Sequence, residues 1–170
     1  VRTWGKKPKF TFKQKPHGEF LEEQGLAEFD RATKVAGAGF YYLKGDLALL
    51  DLVLQRFAID TLVKEGFTFI LPPHMMNRKS YEGVVSLDDF ENVMYKVEDE
   101  DLYLIATSEH PMAAMYSGEI LDEAELPIKI CGLSPCYRKE IGSHGIDTRG
   151  IFRVHQFNKV EEFVFCTPEQ

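Results

Sequence analysis

The stretch CYRKEIGSHGIDTRGIFRVHQF, residues 136–157, decides how the chain is read. It divides into two extended arms around a loop containing Gly142, Gly145 and Gly150, and the arms carry Arg138, Glu140, Arg153 and His155. Successive side chains of an extended chain point to opposite faces. Arg153, His155, Phe157, Lys159 and Glu161 therefore share one face of the second arm, and Ser134, Cys136, Arg138 and Glu140 share one face of the first. An antiparallel pairing of the arms gathers arginine, lysine, glutamate and an aromatic ring on a single surface. One reading is an exposed, salt-bridged sheet face. The other is a ligand surface, because such a face does not need three glycines in its connecting loop. Arginine forks grip phosphate or carboxylate, glutamates hold ammonium, and Phe157 can stack a flat ring.

Working outward, the sequence predicts an α+β domain in which helices are interspersed among hairpins, with an antiparallel sheet rather than a doubly wound parallel one. Residues 1–25 read as an irregular arm interrupted by Pro8, Pro16 and Gly18. A short helix is expected over Leu26–Ala36, stopped by Gly37 and Gly39, and FYYLKG (40–45) is extended in character. DLALLDLVLQRFAIDTLVKEG then predicts a long helix with Asp46 as N-cap and Gly66 at the C′ position. Its apolar residues cover more than one face, so it is expected to be buried by more than one neighbour, within its own core or across a subunit interface. FTFIL (67–71) follows as a strand ended by Pro72 and Pro73. VMYKV (93–97) and LYLIAT (102–107) predict a hairpin around an acidic turn, and TSEHP leads into a helix with Pro111 in its first turn.

A second candidate site is Thr107-Ser108-Glu109. Alternation along LYLIAT places Tyr103, Ile105, Thr107 and Glu109 on one face, so a hydroxyl and a carboxylate meet at the strand's end. Helix capping by Ser108 or Thr107 is the competing account. His74 and His110 are expected to be structural or turn residues, and His144 lies in the glycine loop.

Composition narrows the function classes. With 44% hydrophobic and 28% charged residues in 170, the chain suits one globular domain. No apolar run approaches the roughly 20 residues of a membrane helix, and the basic N-terminus lacks the apolar segment of a secretory signal. The net charge of −7 argues against a broad basic surface, although Arg2, Lys6, Lys7, Lys9, Lys13 and Lys15 precede any acid and leave open a local RNA contact beside the plainer reading of a solvated basic arm. Cys131, Cys136 and Cys166 are few and odd in number, which favours a reducing, cytoplasmic setting with buried free thiols over structural zinc. Nucleophile-elbow, phosphate-loop and zinc-helix signatures are absent.

The long helix with FTFIL and Pro72 (about 46–73) resembles motif 1 of the class II aminoacyl-tRNA synthetases, and CYRKEIGSHGIDTRGIFRVHQFNKVE, within about 130–166, resembles their motif 2. KGDLALLDLVLQRFAID, the triplet at 107–109 and DTRGIFRVHQFNKVE look like the seryl branch of that class, of archaeal or eukaryotic-like type. The resemblance covers essentially the whole chain. It implies an N-terminal arm (1–25) followed by part of a class II catalytic domain (26–170), with an antiparallel sheet flanked by helices. The implied activity is ATP-dependent formation of seryl-adenylate and transfer to tRNA(Ser), with Mg²⁺ on the triphosphate and a homodimer formed through motif 1.

By position, the resemblance implies that Arg138 grips the α-phosphate and the serine carboxylate, Glu140 meets the adenine amino group and Phe157 stacks the adenine. Thr107 and Glu109 would receive the serine ammonium, Glu161 would read its amino and hydroxyl ends, and Arg153 and Lys159 would face phosphate or the adenylate. The loop 141–151, with His144 and Arg149, would touch tRNA. The family's motif 3 and tRNA-gripping helical arm have no counterpart in these residues, so a catalytic-core portion is expected, with metal ligands outside it. A ligase that charges a carrier protein, and a non-catalytic paralogue serving as a binding module, are the alternative readings.

Overall fold

The structure, a computed structural model, describes residues 2–86, 92–140 and 150–170. In chain order the elements are α1 (His17–Glu23), β1 (Ala27–Glu28), α2 (Asp30–Ala36), β2 (Tyr42–Leu43), α3 (Gly45–Lys64), β3 (Thr68–Ile70), β4 (Met75–Met76), α4 (Arg78–Glu82), β5 (Tyr103–Leu104), α5 (Glu109–Ala113), a 3-10 turn (Glu123–Glu125), β6 (Ile128–Tyr137) and β7 (Gln156–Phe165). The architecture is α+β, as the residue pattern predicts.

The sheet that positions the site is built on the opening stretch. β6 and β7 pair antiparallel from Ile128↔Phe165 to Tyr137↔Gln156, with Ser134↔Lys159 and Cys136↔Phe157 in register. β3 lies on the other edge of β6 and runs parallel to it, so this sheet is mixed rather than antiparallel throughout. Residues 71–127 intervene between β3 and β6, a connection long enough for a parallel return, whereas only residues 138–155 separate β6 from β7. α5 crosses the β6–β7 face. A Cβ at Gly132 would sit 3.0 Å from Met112 Sδ and 3.5 Å from Ser108 Cβ, so glycine lets the helix approach.

Two buried clusters hold the chain together. Met76, Tyr81, Met94, Tyr103 and Ile105 pack beneath the loop that leads to Thr107. Leu21, Ala27 and Phe29 join α1 to the β1–β2 pair, with Leu47 and Ile151 against them. The irregular arm is thus shorter than expected, because His17–Glu23 is helical. The helix expected from Leu26 begins at Asp30, after β1 has paired with β2. The hairpin expected over 93–107 is reduced to one bridge, Lys96↔Tyr103. β5 makes its ladder with β4 instead. Asp99 takes φ 60° in the acidic turn, a conformation that aspartate tolerates. Cys131 and Cys136 are buried free thiols, but Cys166 is exposed.

α3 departs furthest from expectation. Its N-cap is Lys44, without a side-chain cap, and Asp46 lies in the first turn. No residue of α3 is buried within this chain, and Leu50, Val53, Leu54 and Phe57, one i, i+3, i+4, i+7 stripe, are all exposed. Its C-terminus matches the prediction. Gly66 at φ 86° donates to Val63 O at 3.1 Å and Phe67 N donates to Leu62 O at 3.0 Å, the paired bonds of a Schellman motif. Placing a Cβ at this left-handed position costs about 1–2 kcal/mol. Gly66→Ala is therefore expected to lower the unfolding free energy by that amount, read as a lower urea midpoint with an unchanged m-value.

Candidate active site

The loop after β5 is held by three distant elements. Ile105 N–H donates to His74 O at 3.0 Å, and Ile105 O accepts from Tyr137 N–H at 2.9 Å. Ala106 N–H donates to Tyr81 Oη at 3.3 Å. That anchoring presents Thr107, which is buried. Its hydroxyl donates to Glu161 Oε2 at 3.1 Å and accepts from Glu109 N–H at 3.1 Å. Thr107, and not Ser108, therefore caps α5. Ser108 Oγ is fully buried and has no hydrogen-bond partner. Lys159 Nζ pairs with the same Glu161 oxygen, so the Glu161 carboxylate has two partners. Glu109, by contrast, is exposed in the cleft, and its carboxylate carries no ion pair among the described residues.

Arg138 stands beside this group, one residue beyond β6. Its Nε donates to Ala106 O at 3.1 Å, and its guanidinium lies 5.1 Å from the centre of the Phe157 ring. Glu140 accepts from Arg153 Nε at 2.9 Å. Thr107, Glu109, Arg138, Glu140 and Arg153 line one open cleft of about 480 Å³, with Val85, Val93, Ala106, His110 and Lys139. Both candidate sites of the sequence thus form one cleft. Phe157, Lys159 and Glu161 join it from β7, through the Arg138 ring contact, the lysine–glutamate pair and the Thr107 bond. The residues combine opposite charges, a ring and a fixed hydroxyl, which suits a zwitterion beside a phosphorylated, flat-ringed ligand. His144 and Arg149 lie outside the described residues.

The sequence did not single out the support behind the cleft. His110, expected as a turn residue, is buried in α5, and its Nδ1 lies 3.1 Å from Tyr81 Oη. Only its place next to the 107–109 triplet hinted at a role, and nothing in the sequence flagged Tyr81. Burial pushes the Tyr81 hydroxyl up to about 12. Burial, then the Lys159 and Arg138 charges, push His110 down to about 4, against a smaller opposite effect of Glu161. An unfolded imidazole titrates near 6.5, so between pH 6.5 and 4 the unfolded chain binds the extra proton. The stability contributed by neutral His110 is complete above that window and is lost as pH falls through it. Urea midpoints should therefore drop from pH 7 to pH 4.5, and His110→Gln should reduce that drop.

The comparisons with known proteins agree with this geometry. Residues 95–170 match the family model described as tRNA synthetase class II core domain (G, H, P, S and T). The matched residues hold β5, α5, β6 and β7, so this part of the fold is similar to the class II synthetase core. The chain is 63% identical to the serine–tRNA ligase of Methanocella arvoryzae over 169 residues, 99% of this chain and 40% of that protein. It is similar to the crystal structure of seryl-tRNA synthetase from Pyrococcus horikoshii complexed with ATP, with a TM-score of 0.89 and 56% identity over 94% of this chain and 36% of that one. The cytoplasmic serine–tRNA ligase of Naegleria fowleri in complex with AMP follows at a TM-score of 0.84 and 46% identity, covering 91% of this chain and 36% of that one. Over nearly its whole length the chain is thus similar to a part of the serine–tRNA ligases. It spans about 40% of the length of the curated relatives it matches.

Proposed function

We propose that the protein carrying this chain activates serine with ATP to seryl-adenylate and transfers the seryl group to tRNA(Ser). The observation that carries the reading is the junction of Thr107, Glu161 and Arg138. A hydroxyl and a carboxylate suited to serine's amino and hydroxyl groups adjoin a guanidinium whose terminal nitrogens carry no hydrogen bond among the described residues. The exposed Glu109 carboxylate faces the same cleft and serves the ammonium.

In the first step a serine carboxylate oxygen attacks the α-phosphorus in line, a new P–O bond forms, and the bond to the leaving pyrophosphate breaks. No protein nucleophile is needed. Arg138 bridges the carboxylate and the α-phosphate, so it aligns the reacting groups and offsets the charge that builds on the phosphoryl oxygens. Phe157 supplies the stacking surface for adenine, Glu140 accepts from its amino group, and Arg153 holds Glu140 in place. Lys159, paired with Glu161, holds that carboxylate turned toward serine. In the second step a ribose hydroxyl of the tRNA attacks the seryl carbonyl and AMP leaves. We assign His144 and Arg149 to the tRNA end from the resemblance of their loop alone.

Mg²⁺ offsets the triphosphate charge in such chemistry. Among the described residues no group of three or more His, Cys, Asp or Glu is placed to hold a metal, so these residues supply no cage for it. Two buried free thiols suit a cytoplasmic protein. Among the described residues no helix is long and apolar enough to cross a membrane.

Serine-dependent ATP–pyrophosphate exchange tests the reading. Exchange with serine is expected, and exchange with another amino acid in its place would overturn the substrate. Arg138→Ala is expected to reduce exchange by about 100-fold or more while leaving the far-ultraviolet circular dichroism unchanged.

The exposed stripe of α3 suits a second copy of the chain, giving a homodimer through α3 and β3. Exposed apolar surface of this extent marks an association face. Sedimentation at micromolar concentration is expected to give a dimer, and Leu54→Asp a monomer.

A further inference from the structure

We infer that His155 is the positioning residue for Arg138. The inference rests on the reading of Arg138 as the adenylate-forming arginine, but its geometry stands apart from that reading. The β6–β7 register ends at Tyr137↔Gln156, and the next pair outward is Arg138 opposite His155. Arg138 N–H donates to His155 O at 2.9 Å. The imidazole then returns to the same residue, with Nδ1 2.9 Å from Arg138 O. One residue thus engages both backbone polar groups of Arg138, and the far end of the arginine is tied to Ala106 O. The direction of the guanidinium is set from both ends.

The ring is itself fixed on several sides. His155 N–H donates to Gly39 O at 2.9 Å, and the imidazole stacks on Phe40 with centroids 5.2 Å apart and planes at 21°. Gly39 takes φ 82°, and a Cβ there would lie 2.6 Å from His155 Cδ2, so the segment 39–40 is shaped around this ring. Tyr95 Oη lies 2.8 Å from the same Nδ1. An unprotonated Nδ1 would set its lone pair against the Arg138 carbonyl at that distance. The Nδ1–H tautomer is therefore the compatible one, donating to Arg138 O with the Tyr95 oxygen as second acceptor. Arg138 is placed by a histidine that need not touch substrate, held by residues 60 and about 115 positions upstream.

Substitution distinguishes positioning from mere packing. Asparagine can put its amide nitrogen near the place of Nδ1, whereas the amide of glutamine is one carbon farther out. In serine-dependent exchange, His155→Ala and His155→Gln are expected to lose about 10- to 100-fold in kcat, the scale of a misplacement near 1 Å, with smaller changes in KM. His155→Asn should stay within about threefold of the wild-type kcat. A substrate-free readout is the hydrogen exchange of the Arg138 amide, expected to quicken in the Gln variant and not in the Asn variant. Equal kcat in the Asn and Gln variants, or an unchanged kcat in a folded Ala variant, would overturn the inference. If the wild-type protein shows no serine-dependent exchange, the function assigned to Arg138 fails. The amide exchange then decides the positioning by itself.

Discussion

Everything at the cleft depends on the register of β6 against β7. A strand's side chains alternate between faces, so a slip of one residue would turn Phe157, Lys159 and Glu161 away from the loop that carries Thr107. The ladder runs for ten residue pairs, and the close seat of α5 over Gly132 adds a steric lock that a shifted strand would not fit. The pairing continues past the strands as Arg138 opposite His155. The same regular backbone thus delivers an aromatic ring, a lysine–glutamate pair and an arginine in a fixed order along one surface.

The electrostatics follow from that placement. Burial first, and then the positive charges of Lys159 and Arg138, disfavour a proton on the His110 imidazole and keep it neutral. Glu161 takes up Lys159, Glu140 takes up Arg153, and the exposed Glu109 carboxylate remains toward the cleft. Two of the cleft's ion pairs are formed without any ligand, so its charged groups are already ordered and little reorganisation is required on binding.

The β6–β7 pairing was legible in the residues. Period-two alternation placed Phe157, Lys159 and Glu161 on one face of β7, and the register agrees, because a long antiparallel pair with a buried side obeys that rule closely. The triplet at 107–109 was legible as a hydroxyl–carboxylate pair, although its bond to Glu161 was not, since local pattern carries no information on which distant strand comes near. Tyr81 and Tyr95 gave no signal for the same reason: each acts through one hydroxyl on a residue far along the chain. The parallel β3–β6 pairing was missed because short segments separated by a long connection pair in either sense. For α3 the helix was legible from its apolar pattern, but the burial expected of it is not found within this chain, where its stripe is exposed.

Several contacts that hold the cleft and the chain around it are distant in sequence. Thr107 reaches across 54 residues to Glu161, Tyr95 across 60 to His155 and, away from the cleft, His17 across 134 to the amide of Ile151. Each such contact carries the entropy of closing a long loop, and chains dominated by distant pairings fold more slowly than those built from local turns. During folding α3 can form early on its own propensity, with its apolar stripe open to solvent, while the cleft assembles only when nearly all of the chain is in place. The interval between those events is when the chain is most exposed to sticky, unproductive association.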